Sequence, residues 1–294
     1  MERITDRVGY VPGGVNVGVI RLDDGSALMV DTGGNESNGL RALKTIRTGG
    51  LEVAGILTTH AHADHFGGNA AVVGRTGAAV WAPDIDEAIV RHPELLPTLL
   101  FGGAAPPAPL RGRFLLAMPS PVDHVVTAGP LAIEGVMIEV VPLPGHSPGQ
   151  VGYLIDGVFF CADIVLPPEA LEKHPVPYLV SVGKHLESLA RAEAVPCDLA
   201  VPGHGSVMAD IGPSVAANRA VVERLLAAVT GAVSIPLGFA GVMNAVRRTF
   251  GFDVTEPAGY YLVQSSVYAA LAHLEDGGVI RQEINANAPT WVQA

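Results

Sequence analysis

The chain has 294 residues, 49% apolar and only 16% charged, with 29 acidic against 18 basic side chains and a net charge of −11. That balance excludes a disordered chain and argues against a broad nucleic-acid footprint; it suits one well-buried globular domain, or one with a small partner. No apolar run reaches the roughly 18–20 residues of a membrane span, the start "MERITDRVGYVPGG" lacks a signal-peptide core, and two cysteines make no disulfide framework, so a cytoplasmic protein is expected.

In chain order, "GVNVGVIRL" and "SALMVDTGG" read as two strands joined by an Asp-Gly turn. A helix is expected at about residues 37–47, capped by Ser37, with Leu40, Leu43 and Ile46 as its apolar stripe and Gly49 and Gly50 as its stop. The buried strand "VAGILTTH" runs directly into "THAHADHFGG"; "GGNAAVVGRTG" then opens a helix and "AAVWAP" is another strand. Residues 93–121 carry seven prolines and read as a structureless insert, either a lid or a surface excursion. From 124 to 163 the strand pattern returns in "LAIEG", "VMIEVVPL", "VGYLI" and "VFFCAD". Helices near 181–194 and 213–229 flank the short strand "DLAVPGHG", and Val215, Val222, Leu225, Leu226 and Val229 share one face of the second. This order predicts helices on the outer faces of two packed sheets over residues 1–230. A distinct region at 231–294 follows, with two helices and a closing strand pair.

Of ten histidines, three fall within six positions, together with an aspartate: His60, His62, Asp64 and His65. Side chains alternate as a chain leaves a strand, and adjacent residues diverge, so one loop can serve two neighbouring metal positions. His60 and His62 would feed one, Asp64 and His65 the other. Imidazole with carboxylate suits zinc, manganese or iron better than calcium or magnesium. Further ligands are expected where later strands end, and His146 in "LPGHSPGQ", Asp163 after "VFFCA" and His204 in "VPGHGS" meet that condition. Gly145, Gly203 and Gly205 would let the backbone turn there. A lone histidine is more often an ordinary surface or core residue, and His92, His124 and His273 are read so; seven ligand-type residues at strand exits are not.

"THAHADH", "GHS", "AD" and "PGHG", in this order and spacing over about residues 8–229, resemble the metallo-β-lactamase superfamily. The resemblance implies an α+β fold, an αββα four-layer sandwich, with two divalent metal ions at one sheet edge, zinc first and manganese or iron as alternatives. It implies His60, His62 and His146 around one metal, Asp64, His65 and His204 around the other, and Asp163 between them. Asp31 in "MVDTGG" would support the metal loop without ligating. Aspartate at 163, where antibiotic-opening members carry cysteine, is similar to the glyoxalase II-like, lactonase and nuclease branches. Cys161 is read as a core residue.

The reaction so implied is hydrolysis of an ester-like bond by metal-activated hydroxide, thioester first and lactone second, on a small-molecule substrate. Asp64 would double as proton acceptor. Tyr178 is the candidate oxygen-stabilising donor, ahead of Lys173, His174, Lys184 and His185, each of which could equally belong to a solvated loop. "VYAALAHLEDGGVIRQ" is similar to the small winged-helix tail of an endoribonuclease branch, which makes RNA cleavage the alternative; dimerisation or lid packing is the preferred role of that tail. An iron persulfide dioxygenase-like enzyme or a true β-lactamase ranks lower, as does a purely structural metal, because structural zinc sites are closed and four-coordinate.

Overall fold

The computed structural model describes residues 1–294. Four antiparallel strands begin the chain: β1 (Glu2–Arg3), β2 (Val8–Val11), β3 (Val17–Arg21) and β4 (Ala27–Val30). Helix α1 (Glu36–Thr48) follows, and its cap is Asn35, not Ser37. The Asn35 carboxamide accepts the Asn38 N–H at 3.0 Å, while Ser37 sits exposed inside the first turn, too late to do so. Strand β5 (Val53–Leu57) joins β4 in parallel and leads into α2 (Ala63–Phe66) and α3 (Asn69–Thr76). β6 (Ala79–Pro83), α4 (Asp86–Arg91), α5 (Leu95–Leu100) and β7 (His124–Val126) complete a seven-stranded sheet in sequential order.

Residues 93–121 are not structureless. They hold α5 and a 3-10 turn at Ala108–Arg111, and Leu96, Leu100, Leu110 and Leu115 are buried in the core beneath the first sheet. The prolines keep the helices short, but the leucines between them bury enough apolar surface to hold the segment down.

The second sheet uses β8 (Gly129–Ile133), β9 (Val136–Pro142), β10 (Val151–Ile155) and β11 (Val158–Ala162) as antiparallel neighbours. After α6 (Pro168–Lys173) and α7 (Val182–Glu193), β12 (Leu199–Pro202) adds in parallel to β11, giving the order β12-β11-β10-β9-β8. Period-two alternation divides each strand between two cores. In β4, Leu28 and Val30 face the second sheet while Ala27 and Met29 face the helices; in β11, Val158 and Phe160 face the first sheet while Phe159 and Cys161 face outward. Gly18 lets the sheets close, since a Cβ there would stand 2.5 Å from the Phe160 ring. The result is the expected four-layer αββα sandwich.

Helix α8 (Gly212–Ala232) runs through position 230, so the expected domain boundary falls inside a helix. Its Val222, Leu225 and Val229 share one core with Val176 and Leu179 and with Val242, Val246, Val267 and Leu271 of α9 (Phe239–Phe250) and α10 (Pro257–Asp276). α10 begins well before the "SSVYAAL" pattern that marks it in the sequence. Strands β13 (Leu237–Gly238), β14 (Ile280–Asn285) and β15 (Ala288–Gln293) form a small third sheet, ordered β13-β15-β14.

Candidate metal centre

Four loops leaving β5, β9, β11 and β12 meet at one end of the sandwich. Potential ligand atoms lie within 4.8 Å of one another in three groups: His60, His62 and His146; His60, His65 and Asp163; and Asp64, His65 and His204. Asp163 connects them. Its Oδ2 stands 3.3 Å from His65 Nε2, 3.4 Å from His204 Nε2 and 3.6 Å from His146 Nε2, so one carboxylate oxygen faces imidazoles from three separate loops. His204 Nε2 is also 3.3 Å from Asp64 Oδ2. The cluster is closed on the His60 and His65 side, both fully buried, and open at Asp64, whose side chain is 49% exposed. Gly203 is required by space, because a Cβ there would lie 2.1 Å from Asp163 Oδ1.

Hydrogen bonds behind the rings set their tautomers. His65 Nδ1 donates to Asp31 Oδ2 at 2.8 Å, His146 Nδ1 to the Tyr178 carbonyl at 3.0 Å and His204 Nδ1 to the Gly14 carbonyl at 2.6 Å. Thr59 Oγ1 gives its single proton to Asp31 Oδ2, 2.8 Å away, and so accepts from His60 Nδ1 at 3.0 Å. Four imidazoles therefore carry a proton on Nδ1 and turn Nε2 inward, the orientation metal ligation uses. Asp31, at φ +59 just beyond β4, also takes the Thr59 N–H at 2.8 Å. It touches His65 from behind and reaches no shared centre.

These residues fit divalent cations. His65 Nε2, His146 Nε2 and Asp163 Oδ1 are buried with no hydrogen-bond partner, and His60 Nε2 lies 3.0 Å from His62 Nδ1. Burial holds His60 well below the usual histidine range and puts His62 at about 3 and His146 at about 4, so all three are neutral at pH 7 as ligands must be. At the open side the carboxylates win. Burial opposes charge on His204, yet Asp163 and Asp64 raise it to about 10, and Asp163, Asp64 and Asp31 likewise raise His65 against its burial. Burial pushes Asp64 up, but His65 and His204 outweigh it and hold the carboxyl at about 2. Carboxylates that draw protons onto two imidazoles draw a divalent cation more strongly.

Two supporting residues escape a reading of the sequence. Asp86, fully buried, accepts the Ala61 N–H at 2.9 Å, the Ser147 hydroxyl at 2.6 Å and the Gly149 N–H at 2.8 Å. It thereby ties the His60–His62 loop to the His146 loop; its only signal is an acid just beyond "AAVWAP". Asn16 holds the His204 loop by donating to the Pro202 carbonyl at 3.0 Å and the Gly205 carbonyl at 2.8 Å.

Tyr178 lies beside the cluster, its ring centroid 5.2 Å from that of His62, and burial keeps its phenol protonated to about 12. Lys173, His174 and Lys184 are exposed, and His174 is close enough to His204 to be depressed in part by it, after burial and Lys173. His185 is no substrate contact: it is buried under the His146 loop, where a Cβ on Gly145 would lie 2.4 Å from its backbone nitrogen. Cys161 points away from the cluster, its thiol 3.6 Å from the Val201 carbonyl, because Ala162 at φ +51 breaks the strand alternation before Asp163.

A family model described as the metallo-beta-lactamase superfamily matches residues 10–204. "Lactamase-like protein adaB" of Aspergillus niger is 26% identical over 224 residues, which cover 72% of this chain and 59% of that protein. A "Hydroxyacylglutathione hydrolase" of Methylobacillus flagellatus is 30% identical over 142 residues (47% and 43%), and an "Atrochrysone carboxyl ACP thioesterase" of Passalora fulva 23% over 226 residues (72% and 57%). The chain thus spans less than two thirds of the length of these relatives. Among solved structures, a beta-lactamase domain protein from Burkholderia ambifaria superposes with a TM-score of 0.75 at 22% identity, covering 99% of this chain and 93% of that one. A metallo-beta-lactamase family protein from Thermus thermophilus gives 0.74 at 20% identity, with 98% of both chains covered.

Proposed function

The chain belongs to the metallo-beta-lactamase superfamily, and from that premise we propose that it is a metal-dependent hydrolase of ester-like bonds, acting on thioesters first and lactones second. The observation that carries this reading is Asp163 Oδ2, placed 3.3–3.6 Å from imidazole nitrogens of His65, His204 and His146. His60, His62 and His146 would hold one cation and Asp64, His65 and His204 a second, with Asp163 contributing its carboxylate to the same cluster. When bound, such a pair supplies a water of lowered pKa and polarises the substrate carbonyl. Relatives named hydroxyacylglutathione hydrolase and ACP thioesterase support a thioester as the first substrate class.

The chain's own groups complete the reaction. Water adds to the acyl carbon, the C–S bond breaks, and the released thiolate takes up a proton. Asp64, ionised and at the open edge of the cluster, can accept the proton from the attacking water and return it to the leaving sulfur. Tyr178, protonated up to about 12, can donate to the carbonyl oxygen as negative charge grows on it.

The RNA-cleaving alternative is disfavoured by charge. After residue 232 the chain carries three arginines and no lysine; Arg247 is paired with Asp253, and Arg281 with Glu283 at 3.0 Å. Phosphate binding needs a cation cluster.

The deciding experiment is metal analysis of protein purified without added metal, followed by assay on thioester, lactone, phosphodiester and β-lactam substrates. Near two equivalents of zinc or manganese with thioester turnover is expected. One equivalent of iron with oxygen-dependent turnover would overturn the proposal.

A further inference from the structure

Beside the cluster, on the His62 side, lies an apolar cavity of about 240 Å³. Leu96, Leu99 and Leu100 of α5 form one wall, with Ile89 behind them, and Tyr178 and His62 form the end nearest the metal ligands. No charged side chain lines it. Its two serine hydroxyls are already engaged: Ser147 donates to Asp86 at 2.6 Å and Ser265 to the Leu179 carbonyl at 3.1 Å. Away from the Tyr178 and His62 end, no lining side chain is left free to recognise a polar group. The His62 ring lies 4.5 Å from the rings of both His60 and His146, so the cavity ends one ring away from the rest of the cluster.

A second cleft of about 250 Å³ adjoins Asp64 and His204 and has a different character. Four glycines, Asn38 and Arg41 contribute to it, and it shares the exposed edge of the cluster. The two sides of a thioester differ in the same way, with an acyl group on one and a longer, polar thiol carrier on the other.

We infer that the α5 cavity binds the acyl group of the substrate, and that the enzyme selects thioesters of medium-chain or arylalkyl acids over acetyl. This rests on the hydrolase reading above and adds the substrate class to it. An apolar cavity of about 150 Å³ already holds a benzene ring, so 240 Å³ accommodates a ring with a short spacer or a chain of comparable bulk. Helix α10 supports the wall: Tyr261 packs edge-on against Phe101 at 5.5 Å, and Ser265 itself lines the cavity. This gives the C-terminal region a part in specificity and explains why the 93–121 segment carries leucines among its prolines.

The test uses Leu99, which is 62% exposed at the rim, so a charged replacement there leaves the core intact. Straight-chain carboxylates from acetate to octanoate are titrated into metal-loaded protein by calorimetry, and the matching acyl thioesters are assayed in parallel. Affinity and kcat/KM should each rise roughly two- to fourfold per added methylene until the cavity is full, with a negative heat-capacity change. Leu99→Glu should lower the octanoate-to-acetate ratio at least tenfold; Leu99→Met should preserve it. Equal binding of acetate and octanoate, or a Leu99→Glu effect independent of chain length, would overturn the inference. If octanoate is selected but no thioester is cleaved, the cavity stands as an apolar acid-binding site and the hydrolase reading falls instead.

Discussion

Replacing Asp86 by alanine should weaken one half of the proposed metal centre without touching a proposed ligand. The Asp86 carboxylate receives three donors at 2.6–2.9 Å, from Ala61, Ser147 and Gly149, in a position with no solvent exposure. Ser147 can turn its hydroxyl elsewhere, but two backbone N–H groups would be left buried without acceptors. At about 1–3 kcal/mol for each such group, the expected loss is roughly 2–6 kcal/mol, a large share of the 5–15 kcal/mol that keeps a protein folded. Freed from each other, the His60–His62 and His146 loops would present three ligands with poor mutual geometry. Loss of an outer support of this kind typically costs about 10–100-fold in metal affinity. Denaturant unfolding of the metal-free protein gives the first quantity, and zinc titration against a competing chelator the second. The titration should turn biphasic, with one equivalent weakened and the Asp64–His65–His204 equivalent nearly intact. Asp86→Asn should fall between, since an amide keeps one accepting oxygen but turns an N–H₂ toward a donor. Wild-type stability within about 1 kcal/mol, or equal weakening of both equivalents, would refute the clamp.

Asp163→Ala should abolish turnover and reduce bound metal well below two equivalents by elemental analysis; retained activity is incompatible with an oxygen shared between the two groups. Asp31→Asn puts an amide opposite His65 Nδ1, now 2.8 Å from a carboxylate oxygen, and should cost about 10–100-fold in affinity at the His65 side by the same titration. Tyr178→Phe should lower kcat by about 10²–10³ with little change in KM if the phenol meets the developing oxyanion; a kcat within twofold of wild type removes that role. The metal-free protein should be most stable near neutrality, measured as denaturation midpoints at pH 5, 7 and 9. Burial places His62 at about 3 and His146 at about 4, below their unfolded value, so their contribution is present above about 6.5 and lost as pH falls toward 4. His204, raised to about 10, contributes below 6.5 and loses its contribution as pH climbs toward 10. A midpoint rising steadily from pH 5 to 9 would contradict this assignment.

The sequence by itself determined the layered fold and the set of side chains that meet at the cluster. Strand periodicity separates Leu28 and Val30 from Ala27 and Met29 whatever the rest of the chain does, and loops after buried strands in one sandwich must emerge at its ends. His60, His146, Asp163 and His204 were legible for that reason. Asp86 and Asn16 were not, because a hydrogen bond to a loop 25 or 186 residues away leaves no periodic mark. The cap at Asn35 in place of Ser37, the packing of residues 93–121 and the retreat of Cys161 behind Ala162 depend on local geometry and neighbours that composition does not encode. The cavity beside His62 is the clearest case. Its walls come from α5, the Ser147 loop, the Tyr178 segment and α10, and each piece alone reads as ordinary apolar sequence. Only their docking, driven by burial of leucines and aromatics from distant parts of the chain, turns them into one surface beside the histidine cluster.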